Sequence, residues 1–267
     1  MTTVTSDAGA WLKTASLRLA LCSENPASEA QLILAEVMQC QRAFLAAHPE
    51  APLTLQQFEQ AESLLNRYVN GEPLPYVLGH WEFYGLDLVV TPAVLIPRPE
   101  TELLVETVLA LAAAPEPRIA DIGTGSGNIA VCLARELPGA RIWATDLSEE
   151  ALEVARSNAA RHGVEARIRF LQGDLAEPLR GEVAPGSLDF LVSNPPYVAE
   201  SEMAALEPEV RDHEPRLALV PPGGDPLAFY PGLLAAGALF LQPGGRLVLE
   251  LPAGGAERIP PLIRRAV

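Results

Sequence analysis

Lysine is almost missing from this chain. Lys13 is the only one among 19 basic residues, which face 34 acidic ones, and the net charge is −15. Phosphate contacts need clustered cations, so direct nucleic-acid binding is not expected. Cysteine is scarce as well. Cys22, Cys40 and Cys132 are odd in number, and no pair has metal-type spacing. That pattern suits a reducing compartment in which thiols serve as small buried hydrophobes. The histidines, His48, His80, His162 and His213, form no HxH or HxxxH pattern, so no metal site is expected. No basic stretch followed by an apolar core opens the chain, and no apolar run of about 18 residues escapes charge, Pro and Gly. The expectation is a cytoplasmic protein with no membrane segment.

Hydrophobic residues make up 49% of 267, enough for a sizeable core. Residues 1–72 carry apolar positions at helical spacing, interrupted by short breaks. Helices are expected over residues 10–22, 27–38, 42–48 and 54–69, with Thr54 capping the last and Gly71 ending it. This reads as a small all-helical domain. Residues 73–98 change character. Leu74-Pro-Tyr-Val-Leu-Gly is punctuated by Pro and Gly, Phe83-Tyr-Gly-Leu-Asp-Leu-Val-Val alternates with period two, and Thr91-Pro92 makes a turn before Ala93-Val-Leu-Ile. A β-hairpin linker is expected there.

From residue 99 to 267 strand, loop and helix alternate. Strands are expected at 118–122, 141–146, 167–171, 188–192 and 245–251, with helices at 100–114, 128–137, 148–162 and 227–241. Such alternation implies an α/β, Rossmann-like domain with a mainly parallel sheet covered by helices. Ligands of these sheets bind beyond the carboxyl ends of the strands.

Four features fall at those ends. Asp121-Ile-Gly-Thr-Gly-Ser-Gly places Gly123, Thr124, Gly125, Ser126 and Gly127 in a loop that lets backbone approach a ligand closely. Its spacing fits neither the dinucleotide fingerprint nor a phosphate loop. Asp146 ends the next strand, where a carboxylate can accept both ribose hydroxyls. Capping the following helix is its alternative role, which Ser148 fills better. Asp174, followed by Leu175, ends the third and could accept an adenine amino group, or serve a turn. After the fourth strand comes Asn194-Pro195-Pro196-Tyr197: two residues without an N–H, flanked by an amide and a phenol.

The glycine loop with Asp146 and Asp174 resembles the class I S-adenosylmethionine-dependent methyltransferases. Asn194-Pro-Pro-Tyr resembles the motif of their amino-group branch, whose members act on adenine, guanine or glutamine amides. Gly71-Glu-Pro-Leu-Pro-Tyr-Val-Leu-Gly, Glu82-Phe-Tyr-Gly-Leu, Leu95-Ile-Pro-Arg-Pro-Glu-Thr-Glu, Glu214-Pro-Arg-Leu-Ala-Leu and Gly223-Gly-Asp narrow the match. Together they are similar to the peptide chain release factor N5-glutamine methyltransferases, over roughly residues 27–251.

That resemblance implies S-adenosylmethionine as cofactor and release factors 1 and 2 as partners. The target would be the glutamine of their Gly-Gly-Gln motif, gripped through the helical domain. Gly123 to Gly127 would wrap the methionine part, Asp146 the ribose, and Asp174 and Leu175 the adenine. Asn194 and Pro195 would accept the two N–H groups of the glutamine amide, with Pro196 as a rigid support and Tyr197 as a flat wall. Arg98 and Glu100 would shape the target pocket or make a hairpin–helix salt bridge. The alternatives are a nucleic-acid base or another protein glutamine as target, or a scaffold that binds cofactor without transfer.

Two departures stand out. The resemblance expects Glu-Ile-Gly-x-x-Gln after the fifth strand, whereas the chain has Glu250-Leu-Pro-Ala-Gly-Gly. It also expects two further strands beyond residue 251, and the sequence ends at Val267. An exposed sheet edge is the expectation, with the chain either a truncated product or markedly less stable than a complete relative.

Overall fold

The computed structural model describes residues 4–252 together with 254, 255, 257 and 258. The chain divides into two compact units, Met1–Gly79 and His80–Val267.

The first unit runs β1 (Val4–Asp7), α1 (Ala8–Leu19), α2 (Pro26–Met38), α3 (Arg42–Ala47), β2 (Pro52–Thr54), α4 (Leu55–Val69) and α5 (Leu74–Leu78). Trp11, Ala15, Leu19, Ile33, Leu34 and Leu65 form its core. The Asp7 carboxylate caps α1 through the Ala10 N–H at 2.7 Å. Thr54 and Gln57 close a reciprocal capping box at the start of α4, so the expected cap is present. Trp11 Nε1 donates to Glu62 Oε1 at 2.8 Å, and Arg18 Nη1 to Glu62 Oε2 at 2.8 Å.

The unit is helical but not all helix. β1 and β2 pair antiparallel, with Asp7 opposite Pro52. A ladder this short leaves no period-two pattern to read. Residues 74–78, expected within the β-hairpin linker, also form a helix. Pro75 sits in its first turn, where no N–H is needed, and Gly79 ends it at φ 82.

The second unit opens with a hairpin of β3 (His80–Phe83) and β4 (Leu86–Val89). Its turn is Tyr84-Gly85, both at positive φ (52 and 73), the geometry of a two-residue hairpin loop. The second strand therefore comes earlier than expected, and residues 93–96 form no strand. Phe83 and Leu88 are buried in one cluster with Leu104, Val108 and Ile129.

Next come α6 (Glu102–Leu111), β5 (Arg118–Ile122), α7 (Asn128–Glu136), β6 (Arg141–Asp146), α8 (Glu149–Arg161), β7 (Ile168–Gln172), β8 (Leu188–Ser193), α9 (Pro208–His213), α10 (Arg216–Leu219), α11 (Tyr230–Phe240) and β9 (Leu241–Leu249). The five sheet strands are parallel, in the order β7-β6-β5-β8-β9. β5 lies at the centre and is buried from Ile119 to Ile122, Asp121 included, as expected of a strand covered on both faces. From β5 the chain winds outward through β6 and β7, then crosses back to β8. The order reverses between β5 and β8, and that crevice is where ligands bind in such sheets.

The expected α/β architecture is present. β9 starts earlier than expected, immediately after α11, because Gly244 and Gly245 lie within the strand rather than ahead of it. Among the described residues β9 is an edge strand. Most of the segment beyond residue 252, on which the expectation of absent strands rests, lies outside the described residues.

Candidate active site

One cavity sits at the carboxyl ends of the strands. It is lined by Gly123 to Ser126 of the glycine loop after β5, Asp146 at the end of β6, Asp174 and Leu175 after β7, and Asn194, Pro195 and Pro196 after β8, while Gly127 lies outside the lining. Sequence placed these residues at four strand ends; the fold gathers them on one surface.

The loop is held by the neighbouring strand. The N–H groups of Gly123 and Thr124 both donate to the Thr145 carbonyl at 2.9 Å. Gly127 carries φ 77 at the start of α7, and a Cβ there would stand 3.0 Å from the Ala155 Cβ, so a side chain is excluded twice. Asp146 reaches back to this loop: Oδ2 accepts the Gly125 N–H at 2.8 Å and Oδ1 the Ser148 N–H at 3.0 Å. Capping α8 falls to Ser148, whose hydroxyl accepts the Ala151 N–H at 3.1 Å. Burial raises the Asp146 pKa, opposed by the N–H groups of Ser148, Gly125 and Leu147.

Each oxygen of Asp146 keeps a further lone pair for hydroxyl donors. Asp174 is exposed, and among the described residues its carboxylate has no hydrogen-bond partner. Leu175 adopts φ 45, and its carbonyl accepts the Thr145 hydroxyl at 2.8 Å, which holds this unfavourable backbone in place. Two carboxylates with spare acceptor capacity beside a glycine-rich loop fit a ribonucleoside.

Asp121 lies beneath the loop and is fully buried. Thr124 Oγ1 donates to its Oδ2 at 2.6 Å, while Oδ1 has no partner among the described residues. Burial pushes its pKa from 3.8 up to about 7, and the charge of Asp146 adds to the rise. In the sequence Asp121 is part of the loop motif and carries no signal of a role of its own.

Asn194 is tied on one side only. Its Nδ2 donates to Thr101 Oγ1 at 3.0 Å. Thr101 Oγ1 donates to Glu250 Oε2 at 2.7 Å, and Tyr197 Oη donates to Glu250 Oε1 at 2.8 Å. Neither Asn194 Oδ1 nor the Pro195 carbonyl accepts a hydrogen bond among the described residues. Those two oxygens are the acceptors that a primary amide would need.

The structure does not bring every expected residue to the cavity. Tyr197, expected as a flat wall, does not line it; its phenol is turned to Glu250, and burial together with that carboxylate raises its pKa. Arg98 does line it, but its guanidinium is held by Glu214, whose side chain is 1% exposed and also accepts the Ile96 N–H at 3.2 Å. Glu100 is exposed and lies outside the lining. The sequence pattern assigns no role to Thr101 or Glu250. Glu250 follows the fifth strand as Asp146 and Asp174 follow theirs, so the strand-end rule could have found it. Thr101 carries no comparable signal.

The family described as the PrmC N-terminal domain matches residues 10–79, and the family described as the methyltransferase small domain matches residues 99–211. The release factor glutamine methyltransferase of Chlorobaculum tepidum is 44% identical over 242 residues, covering 88% of this chain and 82% of its own. That of Moorella thermoacetica is 45% identical over 245 residues, covering 90% and 83%. Among solved structures, the hMettl16 catalytic domain in complex with a MAT2A 3'UTR hairpin superposes with a TM-score of 0.54 at 18% identity. It covers 76% of this chain and 73% of its own, a likeness of fold.

Proposed function

The chain belongs to the release factor glutamine methyltransferase family, and we propose that it methylates the side-chain amide nitrogen of the Gly-Gly-Gln glutamine in release factors 1 and 2. The observation that carries this reading is the pair of free acceptors, Asn194 Oδ1 and the Pro195 carbonyl, beside the cavity that holds Asp146 and Asp174.

The cofactor is S-adenosylmethionine, which supplies an electrophilic methyl group on a sulfonium centre. Gly123 to Ser126 and Asp146 form the side of the cavity suited to its methionine and ribose parts, and Asp174 with Leu175 the side suited to its adenine. A glutamine amide nitrogen is a poor nucleophile because its lone pair is shared with the carbonyl. Asn194 Oδ1 and the Pro195 carbonyl each accept one of its N–H groups, which fixes the nitrogen and favours positive charge on it. Positioning of this kind can contribute about 7 kcal/mol or more. Preorganised acceptors add stabilisation where charge develops. Pro195 and Pro196 keep the backbone rigid and offer no competing donor. The nitrogen grows acidic as it is alkylated, so one proton passes to solvent without a strong base. Tyr197 serves this site through Glu250.

In this reading residues 1–72 bind the release factor, residues 73–98 link, and residues 99–267 carry out transfer in the cytoplasm. Arg98 shapes the cavity wall while paired with Glu214. The chain's net charge of −15 supports a protein rather than a nucleic-acid target.

The test is methyl transfer from labelled S-adenosylmethionine to purified release factor, beside a factor changed from Gly-Gly-Gln to Gly-Gly-Ala. Label on the first alone is expected. Label on both, or on neither, overturns the assignment.

A further inference from the structure

Asn194 can serve as an acceptor only if its amide is turned the right way round. An amide rotated by half a turn has nearly the same shape but presents an NH2 group where the oxygen should be. Two N–H donors would then face each other, and the substrate nitrogen would lose one of its partners. Something in the protein must decide between the two orientations.

The deciding group is not Asn194's own backbone. It is a chain of single-proton groups ending in a carboxylate. Glu250 Oε2 and Oε1 are acceptors only. The Thr101 hydroxyl, 2.7 Å from Oε2, has one proton and directs it at that oxygen. Its remaining capacity toward Asn194 is therefore as an acceptor. The Asn194 group 3.0 Å away must be the donor, Nδ2, and Oδ1 is left for the cavity. Tyr197 closes the other side. Its phenol donates to Oε1 at 2.8 Å, so Glu250 is held from both ends.

Glu250 itself is anchored by backbone. Its N–H donates to the Ser193 carbonyl at 3.0 Å, and its carbonyl accepts the fully buried Tyr230 hydroxyl at 2.8 Å. Thr101 is 2% exposed, so water does not compete for its hydroxyl.

We propose that Thr101 and Glu250 are positioning residues that set the polarity of the Asn194 amide. This rests on the reading of Asn194 as the acceptor of the target amide. It assigns a use to the threonine of the Ile-Pro-Arg-Pro-Glu-Thr-Glu stretch, which lies 93 residues from Asn194 in sequence. It also places Tyr197 behind the reacting group rather than against it.

The test is a double-mutant cycle on methyl transfer to the release factor, using Thr101→Val, Asn194→Ala and their combination. Thr101→Val keeps the shape and removes the hydroxyl. Transfer should fall about tenfold in kcat, the scale of one hydrogen bond. The KM for the release factor and the affinity for S-adenosylhomocysteine should stay within about threefold. In the Asn194→Ala background the same change should have no further effect, because there is no amide left to orient. Thr101→Ser, which retains the hydroxyl, should restore transfer.

If Asn194→Ala transfers methyl normally, the reading of Asn194 has failed, and this inference with it. If Asn194→Ala is impaired but Thr101→Val multiplies that loss, Thr101 acts through packing and the inference alone is overturned. The same holds if Thr101→Ser is as impaired as Thr101→Val. Should Thr101→Val lack a cooperative melt, Glu250→Gln takes its place in the cycle. It lets the hydroxyl proton point either way, and the same non-additivity is expected.

Discussion

The side chain of Asn158 brackets the backbone of Val89. Its Oδ1 accepts the Val89 N–H at 2.7 Å, and its Nδ2 donates to the Val89 carbonyl at 3.0 Å. The second proton of the same Nδ2 goes to the Ser126 carbonyl at 2.9 Å. One fully buried amide thus joins α8, the end of the hairpin and the glycine loop. Asn158→Ala would leave three backbone groups without a partner. At about 1–3 kcal/mol for each unsatisfied group, the loss should be at least about 3 kcal/mol. Urea unfolding followed by circular dichroism would measure it, and a loss below about 1 kcal/mol would show that the bracket is replaceable by water.

Removing the free acceptor should separate binding from chemistry. Asn194→Ala is expected to keep its affinity for S-adenosylmethionine while transfer falls at least about 100-fold, as when one preorganised stabilising group is lost. Calorimetric titration and a transfer assay on the same preparation check both halves. Near-normal transfer would remove the amide from the mechanism.

Asp121 should make stability fall as pH rises. Its folded pKa, about 7, lies above the ordinary 3.8, so the fold holds a proton that the unfolded chain releases. The stabilisation is complete below the unfolded value and disappears as pH climbs through the folded one. Asp121→Asn cannot ionise, so its Tm should change less between pH 5 and pH 8, and at pH 8 it should exceed that of the parent. Parallel Tm curves for the two proteins would contradict this.

The Arg98–Glu214 pair offers a test of cost against partner. Glu214 is almost wholly buried, so Arg98→Met should leave an uncompensated charge and destabilise by about 3 kcal/mol or more. Adding Glu214→Gln keeps an acceptor for the Ile96 N–H and removes the charge, and most of the lost stability should return. Chemical denaturation of the three proteins decides it; a double variant no more stable than Arg98→Met would mean that the arginine acts by packing alone.

Local signals proved legible where one residue type had one physical use. Ser148 caps α8 and Thr54 caps α4 because a short hydroxyl before a helix has an orphan N–H to accept. The strands at 118–122 and 141–146 were readable as apolar runs, and both occur with those bounds. The hairpin lies several residues earlier than its sequence pattern indicates. Its turn uses Tyr84 at positive φ, a conformation that the identity of tyrosine does not announce. The helix at 74–78 was hidden by Pro75, which marks a break except in a first turn.

The sequence by itself determined the alternation of strands and helices. It also determined the glycine loop and the polar residues at four strand ends, because these depend on periodicity and on backbone limits that each residue carries with it. Tertiary structure decided how those residues are wired. Thr101, Asn194 and Glu250 are far apart in the chain, and Asp121 holds its proton near neutral pH only in a setting that burial creates. Hydrogen-bond polarity and desolvation depend on which groups meet in space. Tyr197 therefore faces a carboxylate instead of the cavity, although the motif around it could be read from sequence.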